Sequence, residues 1–307
     1  MIKAYAPASI GNIGVGFDVM GLAIDQPGDD VIVRKSDNKG IRITLMTGDE
    51  GKLPYETEKN TAGMAVLRLV EHLNLQGIGL EIEVHKHLPL GSGMGSSAAS
   101  AVAAVVAVNE LLGAGLSKHE LLPFACAGEA VASGSVHADN VAPSLLGGIT
   151  LIRDNYTYDI HNLNIPAGLH VLIVHPAIKI LTSEARAILK EHVPIKQFIQ
   201  QTANAASFVL GLQKNDFALI GRALRDVVIE PQRSQLIPGF YEVQAVAMAA
   251  GALGCSISGA GPAIFALFEG DASVQEVGTA MQKVFAAHNI SSNIYVSPVN
   301  EKGAVLC

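Results

Sequence analysis

The chain of 307 residues is short of several residue types, and each shortage excludes something. Its three cysteines, Cys126, Cys255 and Cys307, are odd in number and lack metal-ligand spacing, so neither a disulfide framework nor a zinc site is expected. Scattered thiols of this kind read as reduced, which points to a cytoplasmic setting. Positive charge is not in excess: 21 Lys and Arg against 28 Asp and Glu leave a formal net charge of −7, unlike a nucleic-acid binder. The longest apolar run, around 98–108, is too short for a bilayer, which takes ~20 residues. Residues 1–20 carry one positive charge, Lys3, and no cleavable apolar core, so no signal peptide is expected. Repeats and low-complexity stretches are absent. What the chain does have is 49% hydrophobic residues, ample for real cores, at a length where one core tends to split into two domains.

The most informative stretch is Pro89-Leu90-Gly91-Ser92-Gly93-Met94-Gly95-Ser96-Ser97-Ala98-Ala99, glycines and serines running into an alanine-rich apolar segment. Glycine lets a backbone approach an anion closely and adopt positive φ. Free N–H groups at a helix start, reinforced by the helix dipole, bind negative oxygens. Two common phosphate motifs are excluded by spacing. No G-x-x-x-x-G-K-[ST] occurs, since Gly51-Lys52 is followed by Leu53. G-x-G-x-x-G also fails, because the third glycine, Gly95, comes one place early. Upstream, Leu80, Ile82 and Val84 alternate with polar residues, which predicts a half-buried strand. Downstream, Ser96 or Ser97 is a candidate cap for a helix through Leu112 that Gly113 stops. A helix apolar nearly all round should be buried.

Along the rest of the chain, strands are expected at 2–5, 31–33 and 41–45, the latter two joined by a hairpin turn, Asp37-Asn38-Lys39-Gly40. A helix is expected from Asn60 or Thr61 to Leu73. Ser117 and Glu120 stand in capping-box register for another, which Pro123 either kinks or delays. A strand at 145–152 closes this half, and the mixed segment 156–168 is the expected crossover between domains, divided as 1–163 and 164–307. Leaving aside helices between Thr182 and Arg225, the second half reads strand (171–174), helix (241–253), strand (256–258), strand (264–268), helix (from Ser273 and Glu276 to His288), strand (293–296). That is the split βαβ, ferredoxin-like order.

The 89–97 segment resembles the P-x-x-x-G-L-G-S-S signature of the galactokinase, homoserine, mevalonate and phosphomevalonate kinase (GHMP) superfamily. Ala6-Pro7-Ala8-Ser9-Ile10-Gly11-Asn12-Ile13-Gly14-Val15-Gly16-Phe17-Asp18 resembles its first motif, in the form found in homoserine kinases. Ser258-Gly259-Ala260-Gly261-Pro262 resembles its third, a second glycine loop. The resemblance implies an α+β fold of two domains, an N-terminal domain like ribosomal protein S5 domain 2 and a ferredoxin-like C-terminal domain, with the site between them. It implies ATP as phosphoryl donor, with the loop from Pro89 to Ala99 around its phosphates and Asn60 at the adenine, unless Asn60 is only a helix cap. The implied acceptor is L-homoserine, a small-molecule partner, and the implied setting is threonine biosynthesis. The resemblance leaves room for a homodimer.

Phosphoryl transfer from ATP needs Mg2+, which takes hard oxygen ligands. Ser97 and Glu129 are the candidates; the alternatives are an N-cap and a solvated helix charge. Glu129 lies among Ala125, Cys126, Ala127, Ala130 and Val131, a poor place for an unpaired carboxylate. Arginine forks suit a substrate carboxylate. Arg186 follows Thr182 by four residues, so a helix starting there puts both on one face. Arg233 is expected in a loop between Pro231 and Pro238. The resemblance assigns Arg186, Arg233 and Gly259 to the acceptor, with Asn12 and Asp18 at its amino group and His137 and Asn140 at its hydroxyl. It places Asn140, Thr182 and Arg186 at the transfer itself. Surface arginines, a turn-forming Asn12 and a satisfied loop histidine are the plain alternatives. No base is evident: in Ser135-Val136-His137-Ala138-Asp139-Asn140 the matching place is held by an amide, and Asp139 is expected to point elsewhere. A GHMP kinase for another small alcohol, such as shikimate or mevalonate, and a non-catalytic ATP-binding member are the rival readings.

Overall fold

The computed structural model describes residues 1–134 and 137–307, apart from the Ser133 side chain. Its first half runs β1 (Ile2–Gly11), β2 (Met20–Lys35), β3 (Gly40–Thr47), α1 (Thr61–His72), β4 (Gly79–His85), α2 (Ser96–Leu112), α3 (Lys118–Ser133), α4 (Val141–Leu146), β5 (Ile149–Asp154) and β6 (Asp159–Leu163). Then come β7 (Leu169–Pro176), α5 (Thr182–Ala187), α6 (Ile195–Lys214), α7 (Phe217–Ala223), α8 (Glu230–Arg233), α9 (Phe240–Ala249), β8 (Gly254–Ile257), β9 (Ile264–Glu269), α10 (Val274–Ala287), β10 (Ser292–Pro298) and β11 (Val305–Leu306).

The first sheet has the order β11-β1-β2-β4-β3, with β5 on the inner half of β2 and β6 beyond it. The sheet is covered by α1, α2 and α4, with α3 packed over the helices, and α2 supplies the centre of the core because Ala98, Ala99, Ala101 to Val105, Ala107 and Val108 are buried on all sides. Small side chains let such a helix sit close to the sheet. The expected hairpin at Asp37–Gly40 is not one. β4 pairs antiparallel with β2 (Val31 opposite Val84), and β3 lies outside it, parallel (Ile43 opposite Ile82). A turn composition marks a reversal of the chain but cannot say which strand fills the gap. The expected strand at 145–152 also divides: Leu145 and Leu146 finish α4, and β5 starts at Ile149 after two glycines of positive φ. Part of the expected crossover forms β6.

The second sheet is antiparallel with order β10-β7-β9-β8, the ferredoxin-like arrangement, and α9 and α10 pack on one face. Strand alternation explains how the two halves join. On β7, Leu172 and Val174 enter the core under α9 and α10, while Leu169, Val171 and Ile173 belong to the continuous core shared with the first sheet. The chain then returns: Val299 bridges Ile24 and β11 pairs with β1. Among the described residues no helix is long and apolar enough to cross a membrane.

Candidate active site

A cleft of about 510 Å³ lies between the two sheets, walled by all three glycine-bearing segments. The loop before α2 has Gly91, Gly93 and Gly95 at φ of 65°, 80° and 68°. At Gly93 a Cβ would stand 2.4 Å from the Ser258 carbonyl oxygen, so no other residue fits unless the backbone moves. The close approach exists because this loop is sewn to the third motif: Ser258 Oγ donates to Gly93 O at 2.7 Å and Ala263 N to Ser92 O at 3.0 Å. Ser9 N donates to Met94 O at 3.1 Å from the other side.

Neither Ser96 nor Ser97 caps α2. The N-cap is Gly95, with no side-chain bond to the first-turn amides, and Ser96 Oγ turns away to Leu88 O at 3.2 Å. Gly95, Ser96 and Ser97 line the cleft, so the positive end of a buried helix dipole lies at its wall. Beneath them the buried Lys86 ammonium pairs with Asp29, donates to Ser96 O, and donates to Ser100 Oγ at 2.8 Å. Asp29 balances the Lys86 charge, so this buried pair braces the first turn of α2 from beneath, a support that the sequence motif did not announce, and outside the loop Lys179 lays its stem against Gly91.

At the helix start Ser97 meets Glu129 of α3. Desolvation raises the Glu129 carboxyl to about 7, against the hydrogen bond from Ser97 and the charge of Lys86, which lower it. Two hard oxygen donors at the positive end of a helix fit Mg2+. Asp139 also lies on the cleft wall, contrary to the expectation that it points elsewhere; burial first, then Asp18 and Glu129, raise it to about 7. Asn140 sits beside it, accepting from Ser9 Oγ at 3.0 Å and donating to Asp139 Oδ2 at 3.4 Å. Ser135 and Val136 of the same stretch lie outside the described residues.

The opposite end of the cleft is built from the turn between β1 and β2. Asn12, Ile13 and Asp18 adopt positive φ, held by Asp18 N donating to Asn12 Oδ1 at 3.0 Å and Asn12 Nδ2 donating to Gly259 O at 2.9 Å. Arg186 grips Asp18 with two bonds of 3.0 Å, and His137 Nδ1 stands 3.7 Å from the same carboxylate. Burial, with the Arg186 charge, lowers the His137 pKa against the pull of Asp18, so the ring is neutral at pH 7. Arg233 is not in a loop: it ends the one-turn α8, is buried, and donates Nε to Ala185 O at 3.0 Å and a terminal N–H to Gly259 O at 3.1 Å. Desolvation and the nearby Arg186 lower its pKa to about 10, so it stays cationic. Both guanidinium groups lie over the Phe17 ring, at 5.4 and 5.0 Å from its centroid.

Of the expected site residues, Asn12, Asp18, Asn60, Leu90 to Gly93, Gly95 to Ser97, Glu129, His137, Asn140, Thr182, Arg186, Arg233 and Gly259 line this one cleft. Pro89, Met94, Ala98 and Ala99 do not; the last three are buried in the core, where they shape the loop from behind. Asn60 is buried and its Oδ1 caps α1 by accepting from Ala62 N and Gly63 N, while its amide donates to Pro54 O. Ser9, Phe17, Lys86, Asp139 and Lys179 are the additions. Ser9 and Phe17 stood inside the first motif, but only their distant partners give them meaning.

Two family models match the chain, GHMP kinases N terminal domain over residues 60–148 and GHMP kinases C terminal over residues 208–287. The homoserine kinase of Chlorobium phaeobacteroides (strain BS1) is 45% identical over 314 residues, covering 99% of this chain and 98% of that protein. That of Xylella fastidiosa (strain M12) is 42% identical over 99% of this chain and 93% of its own length. The crystal structure of homoserine kinase from Cytophaga hutchinsonii ATCC 33406 superposes with a TM-score of 0.97 at 50% identity, covering 100% of this chain and 97% of that one. With matches of this extent, the chain belongs to the homoserine kinases of the GHMP kinase family.

Proposed function

We propose that the cleft transfers the γ-phosphoryl group of ATP, in line, to the side-chain hydroxyl of L-homoserine, giving O-phospho-L-homoserine and ADP. The observation that carries this reading is the pairing of two unlike ends in one cleft: the glycine loop with the uncapped start of α2 at one, and Asp18, Arg186 and Arg233 around Phe17 at the other. The first suits phosphates. The second suits an α-amino acid, because a zwitterion offers an ammonium to Asp18 and a carboxylate to the two arginines.

Ser97 and Glu129 would hold Mg2+, which would neutralise charge on the phosphates. The glycine-loop amides and the α2 dipole act on the same charge, and a loose transition state depends on such positioning more than on early proton removal. Neutral His137 and Asn140 orient the acceptor hydroxyl, Thr182 stands at the cleft rim at the start of α5, and Arg186 fixes the acceptor from the same helix. In the transfer the bond from the γ-phosphorus to its bridging oxygen breaks, the new bond forms to the hydroxyl oxygen, and the hydroxyl proton is released. No side chain is assigned as base.

We divide the chain at 163/164, with 299–307 returning to the first sheet, and we place the protein in the cytoplasm, where Cys126 and Cys255, free and buried, stay reduced. The test is an ADP-release assay with L-homoserine, mevalonate and shikimate as acceptors. Turnover on L-homoserine at least about 100-fold above the others, in kcat/KM, is expected for a site whose buried charges are left unpaired by the wrong acceptor. Turnover on mevalonate or shikimate with none on L-homoserine would sink the reading.

A further inference from the structure

Of the groups assigned to the acceptor, Asn12, Asp18 and Arg233 come from two irregular segments, the turn that carries Asn12 to Asp18 and the stretch from Arg225 to Arg233. Neither can set its own position: the turn is held at strained φ, and α8, a single turn, is too short to be stable alone. Both meet the same face of α6. Gln201 Nε2 donates to Val15 O at 3.0 Å, and its Oε1 accepts from Val227 N at 2.9 Å. The same amide bonds the buried carboxylate of Asp226. Asp226 in turn accepts from Val228 N at 2.9 Å, Ile229 N at 3.0 Å and Glu230 N at 2.8 Å, the amides that lead into α8. One turn along α6, Asn204 Nδ2 donates to Arg225 O at 2.7 Å and is itself held by Gln200 at 2.8 Å.

We propose that Gln201 is a positioning residue for the acceptor half of the site: by tying Val15 to Val227 it sets the spacing between Asp18 and Arg233, and Asp226 completes the fixture. This rests on the assignment of Asp18 and Arg233 to the acceptor. Gln201 is not on the cleft wall and touches neither reactant site; it acts through its two ends, one on each segment. The pair it spaces is the pair that reads an ammonium and a carboxylate a fixed distance apart, so the device bears on the acceptor and leaves the glycine loop alone.

Gln201→Met keeps the length and volume of the side chain while removing its hydrogen bonds to Val15, Val227 and Asp226; Gln201→Ala removes the side chain as well. Steady-state kinetics on the whole protein should show the acceptor KM rising about tenfold or more in both variants, since the ammonium and carboxylate contacts weaken together once their spacing is no longer held. ATP KM should stay within about twofold and kcat within about threefold. Asp226→Asn, which keeps an oxygen for the Val228 and Ile229 amides, should retain acceptor affinity that Asp226→Ala loses. A Gln201→Met protein with unchanged acceptor KM, or with ATP KM rising in proportion, overturns the proposal; equal losses in the two Asp226 variants overturn the part given to Asp226. If the unaltered protein takes a different acceptor, the acceptor assignment fails, and the same variants measured on that acceptor still decide the role of Gln201.

Discussion

Glu129 sits where a carboxylate is expensive unless something shares its charge. Desolvation raises it to about 7, and the Ser97 hydroxyl and the Lys86 ammonium oppose that shift. A divalent ion bound there would keep it ionised. Glu129→Gln preserves the shape and removes the charge, so kcat should fall about 100-fold, the scale of losing one charge-stabilising group, and half-saturation should move to higher Mg2+. An unchanged Mg2+ saturation curve in that assay would reject the metal assignment. Asn12, Asp18, Arg186 and Arg233 were legible because they stand in or beside recognisable patterns. Ser9 and Gln201 were not, since their partners lie 131 and 186 residues away and neither pairing leaves a local mark.

At the scale of elements, α2 and its glycine loop were the most readable part of the chain, because an all-apolar helix has one place to go and Gly113 ends it in the left-handed conformation. What the motif left open was the capping: a serine after a glycine is a candidate cap until the backbone shows that Gly95 occupies the cap position. Gly93 carries the loop's close contact with the third motif. Gly93→Ala should raise ATP KM at least about tenfold and lower the melting temperature, combining a positive-φ cost of order 1 kcal/mol with a clash against Ser258 and Gly261 carbonyls. Gly40→Ala is the control, with φ of 95° and no atom within 4 Å of the added methyl; it should cost stability only. Equal ATP KM values for the two variants would show that the contact between the loops is not what shapes the phosphate site. The misplaced hairpin between β2 and β3 belongs here too. Local turn chemistry was read correctly as a turn, and β4, more than 30 residues later, took the neighbouring place.

At the scale of the whole molecule, two sheets bring carboxylates together that folding alone would not favour. Asp139 is raised to about 7 by burial and by Asp18 and Glu129, so the folded state holds its proton more tightly than the unfolded chain, whose value is 3.8. Stability from this group is present below the unfolded value and is lost as pH rises to about 7. Without nucleotide or metal, Asp139→Asn should therefore raise the melting temperature more at pH 8 than at pH 5; equal gains at both, measured by calorimetry, would show that Asp139 does not titrate in this range. The composition and periodicity determined two cores, a ferredoxin-like second half and a buried helix behind a phosphate loop, because apolar spacing and glycine punctuation act locally. The return of β11 to β1, the insertion of β4, the pairing of Asp18 with Arg186 across 168 residues and the approach of Ser258 to Gly93 were decided only in the tertiary structure. Those contacts join segments whose sequences carry no record of each other, and apolar spacing, which acts locally, cannot choose between distant partners.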